Sequence, residues 1–362
     1  MEIIMDNWKP LMVGEKKAEL PIVQGGMGVG VSLGNLAGHV AAEGGVGIIS
    51  SAQIGYRDPE FYHDQPGCNA RALVEELQKA KKIAGGNGLV GVNVMCALKH
   101  YREHVQIAAQ HGADLIVCGA GLPMDLPELV QGTEAAIAPI VSSARCVQLI
   151  MKRWLKRYDR LPDLVVIEGP KAGGHLGFSQ EEAEHADSLD FEQEIQKIIR
   201  YVKETGKEKG KDISVVVAGN IFTHEDVVRT LELGADGVQL ASRFVATYEC
   251  DASPEFKKAY LEAGPEDIRI IKSPVGMPGR AIDNAFLREI DQERQKVSKC
   301  YQCLRKCDPS QIPYCITEAL IRAVQGDVEH GLVFAGANVG RIQEMTSVHA
   351  LIRELLGQDS HN

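Results

Sequence analysis

Leu164-Val165-Val166-Ile167-Glu168-Gly169-Pro170-Lys171-Ala172-Gly173-Gly174-His175-Leu176-Gly177 is the stretch that decides the fold. An apolar, β-branched run without alternation reads as a parallel strand buried on both faces. It ends in a carboxylate and passes into a glycine-rich turn with one histidine at its crest. Paired glycines let a backbone approach a ligand where a Cβ would collide. A histidine placed there can move a proton near neutral pH. Strand, ligand-hugging turn and acid–base group therefore fall together.

Runs of the same kind recur on both sides. Pro21–Gln24, Val46–Ser50, Leu89–Val94, Asp114–Cys118 and Ile137–Val141 precede it; Ser214–Ala218 and Gly237–Ala241 follow. Amphipathic segments lie between them, among them Ala70–Ile83, Arg145–Tyr158, Phe191–Glu204 and His224–Leu233. Eight strands alternating with helices predict an α/β fold, a (β/α)8 TIM barrel; an open doubly wound sheet is the competing layout. The strand count and the glycines gathered after strands favour the barrel, whose active sites lie at the carboxyl ends of the strands. The barrel is expected over residues 1–250. Residues 251–362 are expected to form a carboxyl-terminal, mainly helical, cysteine-containing appendage packed on it. Ser273–Arg280 reads as an irregular loop within that part.

The 362 residues carry a formal net charge of -10, which argues against nucleic acid or an anionic membrane as a main partner. Met1–Asp6 has no basic start followed by an apolar stretch, and no run is long enough to span a bilayer. A cytoplasmic location is the expectation, and a homodimer is the candidate assembly.

Several motifs can carry chemistry. Gln24-Gly25-Gly26-Met27-Gly28-Val29-Gly30 follows the first strand. It is either a tight turn or a wall against which a mononucleotide lies, since Ser50-Ser51, not an acidic residue, ends the second strand. Asn93 can donate and accept, as a flavin pyrimidine edge requires, or it can tie down its own loop. Ala218-Gly219-Asn220 and Leu240-Ala241-Ser242-Arg243 end the last two strands and form a candidate phosphate cup. Arg243 pairs there with phosphate or with a rim carboxylate. His175 is the candidate proton-transfer group, against the plainer reading of a solvated loop histidine. His100, His104 and His111 read as surface. Ser179–Asp190 is an acidic segment, either a lid or a solvated insertion.

Cys300, Cys303, Cys307 and Cys315 are clustered near the carboxyl end. Four thiolates can hold zinc or an iron–sulfur cluster. Cys300, Cys303 and Cys307 also fall on one stripe of a helix, where reduced thiols would pack as core.

Together, Pro21–Gly28, Gly91-Val92-Asn93-Val94, Cys118–Pro123, Glu168–Gly177, Ala218–Ile221 and Gly234–Leu240 resemble the nitronate monooxygenase family, formerly 2-nitropropane dioxygenase, which includes the flavin-dependent enoyl-ACP reductase II. The resemblance implies FMN as cofactor. Gln24, Gly26 and Met27 would then lie along the isoalloxazine with Asn93 at its pyrimidine side. Gly173, Gly174, Gly219, Asn220, Ala241 and Ser242 would surround the phosphate, and His175 would be the catalytic histidine. The chain departs from the family pattern at Asn220, where a glycine is usual, and at Ala241-Ser242, where Gly-Thr is usual. The implied reaction is oxidation of an alkyl nitronate with O2. The alternatives are NAD(P)H-dependent reduction of an enoyl thioester and a non-catalytic flavin-binding redox partner.

Overall fold

The computed structural model describes residues 8–358; Met1–Asp6, on which the expectation of no export signal rests, lies outside them. The chain opens with an antiparallel hairpin, β1 (Leu11–Val13) and β2 (Lys16–Ala18). Then follow β3 (Ile22–Gln24), β4 (Val46–Ser50), β5 (Leu89–Met95), β6 (Leu115–Gly119), β7 (Ala136–Val141) and β8 (Leu164–Glu168). A two-residue strand β9 (Gly174–His175) precedes β10 (Ser214–Ala218) and β11 (Gly237–Leu240). β3 to β8, β10 and β11 close into a parallel barrel in chain order, with β11 pairing β3 and β10 pairing β8. The eight strands coincide with the eight apolar runs to within a residue or so at their ends.

The barrel explains why those runs do not alternate in polarity. Val46, Ile48, Val166 and Val216 fill the interior, while Ile49, Val165, Ile167 and Val217 pack against the outer helices. Both faces are dry, so both are apolar. The helices start where the sequence offers caps. Ser143 accepts from the Cys146 amide ahead of Ala144–Tyr158, and Thr223 caps His224–Glu232.

The β1–β2 hairpin plugs the amino-terminal end. Leu11, Val13 and Ala18 are fully buried against Val23, Val46, Leu89 and Leu164 at the starts of the strands. Lys16 anchors the plug to Asp114 at 3.4 Å.

The carboxyl-terminal part covers the opposite end. It holds helices Pro254–Glu262, Ala285–Gln292, Ile316–Gln325 and Val348–Leu355. It also holds an antiparallel pair that the glycine- and proline-rich sequence did not announce. β12 (Ile268–Lys272) pairs with β13 (Pro278–Ile282), and β13 pairs with β9 beside the barrel. The helix-stripe reading of the cysteines fails, because Glu293–Cys315 forms no helix. His104 is also corrected. It is buried on its helix, burial pushes its pKa down to about 4, and neither ring nitrogen has a partner. Among the described residues, no helix is long and apolar enough to cross a membrane.

Candidate active site

A cavity of about 250 Å³ opens at the carboxyl ends of the strands. The turn after β3 supplies Gly25 to Val29, and β5 supplies Asn93 and Met95. The turn after β8 supplies Glu168 and Lys171 to His175. Gly219, Asn220, Ala241 and Ser242 close one end. Every candidate cofactor residue except Gln24 therefore lines one cavity. Gln24 is fully buried beneath it, and its amide ties β3 to β4 by bonds of 3.1 Å to the Ile48 carbonyl and from the Ile48 amide.

The phosphate-cup candidates are held partly by the carboxyl-terminal segment. The Gly336 amide donates to Ser242 Oγ at 3.0 Å, and the Ala337 amide donates to the Lys171 carbonyl at 3.1 Å. The Asn338 amide nitrogen donates to Asn220 Oδ1 at 3.0 Å. Gly173 permits this approach, since a Cβ there would stand 2.6 Å from the Gly336 nitrogen. Gly174 has φ +74°, and a Cβ on it would point into open cavity. Asn220 has φ +69°, which explains the departure from glycine at that position: asparagine is among the few residues that adopt left-handed backbone readily. Arg243 takes the rim alternative. It pairs with both Glu354 oxygens at 2.9 and 2.7 Å and donates to the Phe222 carbonyl.

His175 sits on β9, where pairing with Gly279 fixes its backbone. Its Nε2 shares a 2.7 Å hydrogen bond with Ser273 Oγ, and its ring meets Phe334 edge-on at 4.9 Å between centroids. No described residue bonds Nδ1. Protein surrounds the imidazole apart from its cavity side, and that burial pushes its pKa down to about 4. Glu168, lining the same cavity, has no side-chain partner among the described residues, and burial pushes its carboxyl up to about 7. One group is thus neutral and the other poised to titrate at the same pH.

Arg280, 5 % exposed, is the scaffold behind the histidine turn. It donates to the carbonyls of Pro170, Ala172 and Ala183 at 2.6, 2.7 and 2.9 Å. The last of these lies in the acidic segment, which is a capped helix, Gln180–Glu184, further tied by the Lys171–Asp187 ion pair. Sequence reasoning missed Ser273, Arg280, Phe334 and Gly336. The glycines of Gly331–Gly336 were the available signal for the last two.

The group FMN needs a flat wall, an amide facing it and an anion cup of main-chain donors. Gly25–Gly28 meets the first need, being so close to the strand ends that a Cβ on Gly26 would fall 2.5 Å from Asn93. Asn93 and the Gly219–Ser242 turns supply the other two. The residues present fit the cofactor.

A cavity at the carboxyl ends of a closed parallel barrel is where the enzymes of this fold place their active sites. Residues 9–358 match the nitronate monooxygenase family, and this chain belongs to that family of FMN-dependent oxidoreductases. A probable nitronate monooxygenase from Bacillus subtilis (strain 168) is 25 % identical, over 94 % of this chain and 96 % of the relative. Two solved structures share the fold. FabK from Thermotoga maritima superposes with TM-score 0.71 at 24 % identity, covering 93 % of this chain and 92 % of that one. Nitroalkane oxidase from Streptomyces ansochromogenes superposes with TM-score 0.68 at 20 % identity, covering 96 % of each.

Proposed function

We propose that this protein oxidises alkyl nitronates and their parent nitroalkanes with O2, using FMN and His175. The observation that carries the reading is a neutral imidazole fixed at one nitrogen and free at the other. When Nε2–H donates to Ser273 Oγ, Nδ1 keeps its lone pair. That nitrogen takes the proton from the carbon α to a nitro group, leaving the nitronate. The low pKa keeps this base unprotonated throughout the neutral range.

Gly26, Met27 and Asn93 would hold the cofactor ring, and Gly173, Gly174, Gly219, Asn220, Ala241 and Ser242 its phosphate. Bound FMN supplies the electron acceptor that passes reducing equivalents on to O2. Met95, Ile140 and Phe334 give the cavity apolar walls that exclude water from the reacting carbon. Lys171 and Arg243 are already paired with Asp187 and Glu354, so the charge that develops on the substrate falls to main-chain donors and to the imidazolium formed once Nδ1 has taken the proton.

One observation favours a second reading, reduction of an enoyl thioester by NAD(P)H. Glu168 holds a proton near neutral pH, and that reaction needs a proton delivered to the substrate's α-carbon. The test is turnover of the FMN-loaded protein. Oxygen consumption with nitroethane, lowered at least about 100-fold by His175→Ala while oxidation of preformed propionate 3-nitronate falls much less, supports the first reading. NADPH oxidation with crotonyl thioester and inertness toward the nitronate under air overturn it. Nitroalkane turnover indifferent to His175→Ala removes the first reading.

A further inference from the structure

The four carboxyl-terminal cysteines lie in an unusual stretch. From Glu293 to Cys315 the chain forms neither helix nor strand, only an isolated bridge between Leu304 and Leu98. Irregular stretches of this length are uncommon inside a domain and are usually functional or disordered. This one is tied down. The Lys99 amide donates to the Cys303 carbonyl, and the Arg305 amide donates to the Ala97 carbonyl, both at 2.9 Å. The loop wraps a second cavity of about 250 Å³, and all four thiols line it, together with Lys99 and Arg305. Packed core thiols would fill such a space, because protein interiors are close-packed.

The donors around the sulfurs are those that thiolates need. The Gln302 amide donates to Cys300 Sγ at 3.3 Å, and Gln302 adopts φ +48° as it does so. Left-handed backbone is unfavourable for a non-glycine residue, so the surrounding contacts hold this turn in place. Cys315 immediately precedes helix Ile316–Gln325, at whose amino-terminal end the helix dipole favours negative charge.

The number and kind of ligands point to the guest, since four cysteines are the ligand set of a [4Fe–4S] cluster. No group of three or more metal-binding side chains among the described residues is placed to share one ion. A tetrahedral zinc site would draw its sulfurs to about 3.8 Å from one another, given zinc–sulfur bonds of about 2.3 Å. A cubane binds each sulfur to a different iron and so spans a wider ring of thiolates.

We propose that Cys300, Cys303, Cys307 and Cys315 ligate a [4Fe–4S] cluster in this cavity. Each thiol loses its proton as it binds one iron, and Lys99 and Arg305 offset the negative charge of the ligated cluster. The site is joined to the barrel mouth by helix Ile316–Gln325: Cys315 lies at one cavity and Leu320 lines the other, about 7.5 Å of helix rise away. The proposal does not depend on which reaction His175 serves.

The full chain is isolated without oxygen and, in parallel, reconstituted with ferrous iron and sulfide. The expected result is about four irons and four acid-labile sulfides per chain, broad visible absorption beyond any flavin bands, and a paramagnetic signal after dithionite reduction. Cys300→Ser, at an exposed position, and Cys315→Ser lower the iron content at least severalfold, whereas Cys146→Ser leaves it unchanged. Folding of each variant is checked by far-UV circular dichroism. Zinc at one per chain with no iron, a disulfide among the four, or a folded chain that takes up no iron on reconstitution would each overturn the proposal.

Discussion

Ser273 Oγ and His175 Nε2 stand 2.7 Å apart, although the two residues are 98 positions apart in sequence. The contact exists because β13, the partner of β12, also pairs with β9. The Val275 amide donates to the same Oγ at 3.3 Å and helps to fix it.

Ser273 is therefore a positioning residue. Ser273→Ala is expected to lower kcat about fivefold, the worth of one hydrogen bond of about 1 kcal/mol, with KM little changed. Ser273→Thr restores most of the loss. Loss that falls on KM alone, or that threonine does not repair, would contradict the positioning role.

The two titrating groups make opposite contributions to stability. His175 has its folded pKa lowered from 6.5 to about 4, so its contribution is full above 6.5 and is lost as pH falls toward 4. Glu168 has its folded pKa raised from 4.5 to about 7, so its contribution is full below 4.5 and is lost as pH rises through 7. In flavin-free protein, the Tm advantage of Glu168→Gln over the parent should grow from pH 5 to pH 8. An advantage that shrinks over this range would show that the carboxyl is not held protonated. In turnover, the acid limb belonging to the imidazole should fall near pH 4, not 6.5, in the pH profile of kcat/KM.

Gly174→Ala tests the cup. The alanine meets no protein atom, but it must adopt φ +74° and its methyl enters the cavity. The backbone strain alone is about 1–2 kcal/mol. Together with the lost space, this should weaken FMN binding more than tenfold, measured by quenching of flavin fluorescence. Unchanged affinity would place the phosphate elsewhere.

Arg280→Met removes a buried cation that three carbonyls share. Leaving those carbonyls unpaired costs about 1–3 kcal/mol each at most, because cavity water can reach some of them. The expected outcome is a Tm lower by several degrees and faster amide exchange over residues 170–184. Uniform exchange across the whole chain would mean that the side chain supports the fold generally and not this turn.

The barrel was legible because its strands are short, apolar and separated by capped helices. Ser214–Ala218 has no second interpretation once a helix starts at Thr223. The site was partly legible for the same reason: strand ends converge, so Asn93, His175, Gly219 and Ser242 meet at one mouth. What stayed hidden depends on contacts far apart in the chain. Pro278-Gly279 looks like a turn, and only pairing with Ile271-Lys272 on one side and His175 on the other makes it a strand. Arg280 shows no local sign that it will bind three carbonyls around residue 175. Cys300, Cys303 and Cys307 have helical spacing, yet Pro309 and Pro313 lie just beyond them and no apolar face accompanies them.

The hairpin at the start of the chain leaves the vessel with a single doorway. Its side chains stopper the lower opening, so whatever reacts inside must arrive and depart past the same rim. Much of that rim is built of residues more than a hundred positions later than the first barrel strand, from Lys171 to Asn338. Substrate choice is thereby handed to the late part of the chain, which can diversify without disturbing the staves of the cylinder.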